Sequence, residues 1–116
     1  MKKYVFSILL LSLALTACGG ARSTHNNIHN NSYLTWQAPT TYYDQTPFPS
    51  SDIGGYNIYV GMSQKDMSLK SNINDPTVRT FNLGKLGKGT FHIAVTCYDI
   101  NGIESPFSPI LVVNLI

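Results

Sequence analysis

From Ser32 to Ile116 the chain carries short runs in which apolar side chains recur at every second position, separated by Gly, Pro, Asn and Asp. That period is the one of a pleated strand with one face on a core, because successive side chains leave a strand on opposite sides. The pattern predicts strands over Tyr33 to Trp36, Tyr56 to Val60, Val78 to Leu83, Thr90 to Tyr98 and Pro109 to Ile116. Inward positions are Leu34 and Trp36, then Tyr56, Ile58 and Val60, then Phe81 and Leu83, then Phe91, Ile93, Val95 and Cys97, and finally Leu111, Val113 and Leu115. No run has the 3.6-residue period of an amphipathic helix, so the expectation is an all-β antiparallel sandwich.

The first 31 residues follow different rules. Lys2 and Lys3 precede an uncharged, mostly apolar stretch from Tyr4 to Leu15, which ends at the small residues Thr16 and Ala17 before Cys18. This is the layout of a secretory signal, and it is too short to span a bilayer as a helix. Leu15-Thr16-Ala17-Cys18 resembles the lipobox of bacterial lipoproteins. The resemblance implies cleavage before Cys18, lipidation of its thiol and acylation of the new amino terminus. Two or three chains on one cysteine anchor stably where a single chain would not, at about 0.8 kcal/mol per buried methylene. Gly19, in place of an Asp, implies the outer membrane by the family's sorting rule. Gly19 to Asn31 is rich in Gly and Asn with Ile28 as its one large apolar residue, and reads as a flexible tether. The expected organisation is therefore a signal peptide over 1–17, lipidated Cys18 and a tether over 18–31, and one domain over 32–116.

The stretches Leu34-Thr35-Trp36-Gln37-Ala38-Pro39, Gly55-Tyr56-Asn57-Ile58-Tyr59 and Phe91 through Ser105 resemble the B, C and F–G parts of bacterial fibronectin type III domains. That likeness implies an immunoglobulin-like sandwich of about seven strands in two sheets with Trp36 as a central core residue, and it implies no chemistry. Two departures stand out. Phe91 occupies the place of the tyrosine that usually bonds back to the E–F turn, so packing against Leu86 must hold that corner. The place of strand A falls on Ser23 to Asn31, so strand A is expected to be frayed or missing, leaving an edge open to a partner strand.

Charge narrows the function. Of eight basic residues two are Lys2 and Lys3, and the remaining six face six acidic residues in scattered positions. Nucleic-acid binding, which needs a clustered basic stripe, is not expected. His25 and His29, Asp66 and Asp75, and Gly84, Gly87 and Gly89 match no metal or phosphate motif, so no cofactor and no catalytic site are expected. Asp99 and Glu104 flank Asn101-Gly102, a tight-turn dipeptide, and turn chemistry is expected to explain both. Cys97 is expected to be a reduced, buried thiol.

Two surfaces remain as candidates for binding. Tyr42, Tyr43 and Phe48 sit in the long connection from Pro39 to Gly54, where they either anchor a protein or glycan partner or fold back as a cap over Trp36. The outward face of the C–F–G strands carries Tyr59, Ala94, Tyr98, Ile110, Val112 and Ile116 with His92 and Thr96, which is more apolar than a solvated sheet face requires. The expectation is a non-catalytic binding or adhesion module, anchored to the bacterial envelope membrane by its lipid, with an envelope protein or glycan as partner; the alternatives are a structural subunit of a larger envelope assembly and a carbohydrate-binding accessory domain.

Overall fold

The computed structural model describes the backbone of residues 11–15 and 27–28, and residues 32–42 and 46–116 in full. Eight strands are present among them: β1 (Leu11–Leu15), β2 (Asn27–Ile28), β3 (Ser32–Trp36), β4 (Ile53–Gly61), β5 (Ser68–Ile73), β6 (Thr80–Asn82), β7 (Gly89–Asp99) and β8 (Leu111–Leu115). They form one sheet in the order β1-β3-β6 and a second in the order β2-β8-β7-β4-β5. All pairs are antiparallel except β2 with β8.

The alternation read from the sequence places the core. Leu34, Trp36, Phe81 and Leu83 from the first layer meet Tyr56, Ile58, Ile93, Val95, Cys97, Val113 and Leu115 from the second, all buried. The Trp36 and Tyr56 rings lie 5.4 Å apart between the layers, so Trp36 is central as expected. Phe91 and Leu86 both pack against this cluster, which is how the corner is held without a tyrosine there.

Three elements depart from expectation. β5 falls in a stretch expected to be a connection. Its sequence Ser-Leu-Lys-Ser-Asn-Ile lacks alternation and it is largely exposed, but β4 is nine residues long and its outer edge needs hydrogen-bond partners, which β5 supplies across a bulge at Ile58/Tyr59. β6 is shorter than the expected Val78 to Leu83, because Asn82 accepts a hydrogen bond from the Gly84 amide and turns the chain into a 3-10 turn at Leu83–Leu86. Third, the edge of β3 is occupied rather than open, by Leu11–Leu15, which lie upstream of the place expected for strand A. Within the stretch read as a tether, Asn27–Ile28 pair in parallel with Asn114–Leu115. Cys18, His25 and His29 lie outside the described residues.

The Asn101-Gly102 turn is present, with Gly102 at φ 83°, a conformation that favours glycine. The Asp99 carboxylate caps it by accepting from the Asn101 and Ile103 amides, both at 2.9 Å.

Candidate functional site

The long connection does not offer its rings to solvent. Thr41 bridges to Pro47, the Tyr42 amide donates to Thr46 and the Phe48 amide donates to Thr40, closing a small loop. Tyr42 and Phe48 thereby turn inward, edge to face at 4.7 Å, and the Tyr42 hydroxyl donates to Asp52 at 2.9 Å. Both are buried in the same cluster as Trp36, so neither ring is presented to solvent as a binding surface requires. Tyr43 lies outside the described residues.

The outer face of the five-stranded sheet is more informative. Its register sets Thr96, Asn57 and Asn72 in one row, Ala94, Tyr59 and Leu69 in the next, and Val112, His92 and Gly61 in a third. β8 pairs with β7 only from Gly89 to Ile93, which leaves the rest of that β7 edge to the segment between Glu104 and Ile110.

Two serines complete this edge. Ser105 donates its amide to the Cys97 carbonyl and its hydroxyl accepts from the Cys97 amide; Ser108 does the same for Val95. Each hydroxyl then donates to the carbonyl of the following proline, Pro106 or Pro109. The prolines have no amide to place in a ladder, and the serine side chains take over the pairing.

This irregular segment carries Glu104 and Phe107 over the outer face. Glu104 Oε2 accepts from the Tyr59 hydroxyl at 2.5 Å, the Thr96 hydroxyl at 2.5 Å and the Asn57 amide at 2.8 Å, and Asn57 in turn accepts from Asn72 at 2.7 Å. Burial would raise the Glu104 carboxyl, but the three donated bonds outweigh it and hold the group below its usual range. The Tyr59 phenol is pushed up to about 12, by burial first and by its bond to Glu104 second. Glu104 is therefore more than a turn residue, contrary to expectation; turn chemistry accounts for Asp99 alone. Its role was hidden because two of the three donors, Asn57 and Tyr59, lie on β4, 47 and 45 positions away in the chain.

Phe107 stacks on Tyr59 with ring centroids 4.7 Å apart while remaining 46% exposed. Leu69, in the same row as Tyr59, and Val112, in the next, are 53% and 40% exposed. The apolar patch contains Tyr59 and Val112, but its membership otherwise differs from the expected one. Ala94 and Thr96 are fully buried beneath the returning segment, and Phe107 and Leu69 join instead. His92 is half-buried, and its Nδ1 has no hydrogen-bond partner among the described residues.

Tyr98, the other expected contact on this face, has a structural task. It lies opposite Gly55, and a Cβ placed on Gly55 would fall 2.5 Å from its hydroxyl oxygen. Its ring fills the space that Gly54 and Gly55 leave, and its hydroxyl donates to the Ile73 carbonyl at 3.3 Å, joining β7 to β5 across β4.

The described residues hold no cluster of three or more His, Cys, Asp or Glu side chains suited to a metal ion. Cys97 is a free, buried thiol, raised to about 12 by burial.

These features define a fibronectin type III-like sandwich. A Fn3-like protein from Clostridium thermocellum has a similar structure, with a TM-score of 0.52 and 17% identity over 97% of this chain and 95% of that one. No protein-family model matches the chain, and no curated protein matches it.

Proposed function

We propose that the chain is a non-catalytic, lipid-anchored module of the bacterial envelope. Cys18 carries the lipid, with Gly19 behind it favouring the outer membrane, and the outer face of the five-stranded sheet docks a protein partner. The observation that carries the docking is the Phe107–Tyr59 stack, flanked by exposed Leu69 and Val112 and braced from below by Glu104. An aromatic pair on a rigid sheet, half-exposed and with its polar atoms already bonded, loses little side-chain freedom on association and has the character of an interface anchor. The lipobox-like residues Leu15-Thr16-Ala17-Cys18 support the anchor.

A photo-reactive residue in place of Leu69, with Arg79 replaced in parallel as the exposed control, tests this in intact cells. A discrete protein adduct from position 69 alone, lost when Phe107→Ser is added at an unchanged protein level, is the expected result. No adduct from position 69 would overturn the docking face. Cys18→Ser should move the protein from the membrane to the soluble fraction, and retention in the membrane would overturn the anchor.

A further inference from the structure

The pairing of β1 with β3 has a consequence if the chain is processed as proposed above, on which this inference rests. Leu11–Leu15 sit antiparallel on β3, with Leu11 opposite Trp36, Leu13 opposite Leu34 and Leu15 opposite Ser32. All five residues lie before Cys18, so cleavage at the lipobox removes the whole strand. The remaining sheet would then end at β3, two strands wide, above the core residues Leu34 and Trp36. A sheet edge of this kind is a template for another strand.

We propose that signal cleavage converts the β3 edge into a β-augmentation site, and that its occupant is a strand of another envelope protein with aliphatic residues at alternate positions. The chemistry of that occupant is written in the segment it replaces: Leu-Ser-Leu-Ala-Leu places a leucine at every second position with small residues between. The site is distinct from the outer face of the other sheet.

Backbone polarity makes the site specific. The Trp36 amide donates to the Arg79 carbonyl on the β6 side. Since amide and carbonyl groups alternate sides along a strand, the backbone groups of Tyr33 face the β1 side. Tyr33 is paired with Ala14 and Thr35 with Ser12, so the occupant's backbone at the positions of Ser12 and Ala14 faces β3, and that of Leu13 faces away.

The test uses the processed, lipid-anchored protein purified from membranes in mild detergent, and as probe a lysine-flanked peptide of residues 10–16. Its amino terminus is first read by mass spectrometry. Binding is then measured with hydrogen exchange at the Tyr33 amide. The expected result is a chain beginning at Cys18, saturable binding, and slowed exchange at Tyr33. N-methylation of the peptide at both Ser12 and Ala14 should weaken binding at least about tenfold, as two lost backbone hydrogen bonds imply, whereas N-methylation at Leu13 should leave it within about twofold. A chain beginning at Cys18 that ignores the peptide overturns the inference and leaves the lipoprotein reading standing. A purified chain that still contains residues 11–15 overturns both. Slow Tyr33 exchange in a peptide-free dimer would assign the edge to a second copy and overturn the proposed occupant.

Discussion

The Tyr59 hydroxyl donates to Glu104 at 2.5 Å, joining residues 45 positions apart in the chain. With Thr96 and Asn57 on the same carboxylate oxygen, this contact ties the F–G connection to two strands of the five-stranded sheet. It also holds Tyr59 where Phe107 can stack on it. The apolar patch is therefore built on a polar frame.

That frame should titrate. Glu104 is depressed in the folded state, so its contribution is present above the unfolded carboxylate pKa of about 4.3 and is lost as pH falls through the lower folded value. Tyr59 is raised from 10.0 to about 12, so its contribution is intact below pH 10 and is lost between about 10 and 12. Glu104→Ala is expected to destabilise the domain by about 1–2 kcal/mol at pH 7 in urea unfolding, with the difference from the parent shrinking in acid. A difference that does not change with pH would show that the charged carboxylate is not the stabilising form.

Ser105 and Ser108 each supply the acceptor for a buried amide, that of Cys97 or Val95. Removing one hydroxyl strands that amide without an acceptor. Ser105→Ala and Ser108→Ala should each cost about 1–3 kcal/mol. Amide exchange should accelerate at Cys97 in the first variant and at Val95 in the second, which NMR hydrogen exchange can assign residue by residue.

Gly55 lies under the Tyr98 ring and beside the Ile73 carbonyl, and that carbonyl cannot withdraw without separating β5 from β4. Gly55→Ala is expected to cost about 3 kcal/mol, at the upper end of ordinary overpacking, read as a drop in the denaturation midpoint. Adding Tyr98→Ala should restore part of the loss by emptying the space above position 55, a coupling that a double-mutant cycle measures directly.

The Cys97 thiol, raised to about 12 by burial, should not react with a thiol-specific reagent at pH 8 in the folded domain. Labelling should follow the unfolding curve in urea. Because the folded pKa is raised above its ordinary 9.0, the linked stability is present below pH 9 and is lost as pH rises towards 12. Rapid labelling in buffer alone would show that the strand opens locally at Cys97.

Strand interiors were legible in the sequence because their cause is local. Phe91, Ile93, Val95 and Cys97 alternate with His92, Ala94, Thr96 and Tyr98, and the period alone assigns each to a face of β7. Asn101-Gly102 marks its turn for the same reason, since only a residue tolerant of positive φ fits there. The inward face of Leu34 and Trp36 follows from the same alternation, whereas the two-sheet arrangement with Trp36 at its centre was implied by the resemblance to fibronectin type III domains. Tertiary structure decided what depends on partners distant in the chain. β5 has no pattern of its own and exists because β4 needs an edge partner. Ala94 and Thr96 occupy outward positions yet are buried, because Glu104 and Phe107 return over them. Ser105 and Ser108 read as loop residues until the β7 edge beside them shows two backbone groups each to satisfy. Local periodicity records which face of a strand meets the core; it carries no record of which distant segment will complete that strand's edge or cover its outer face.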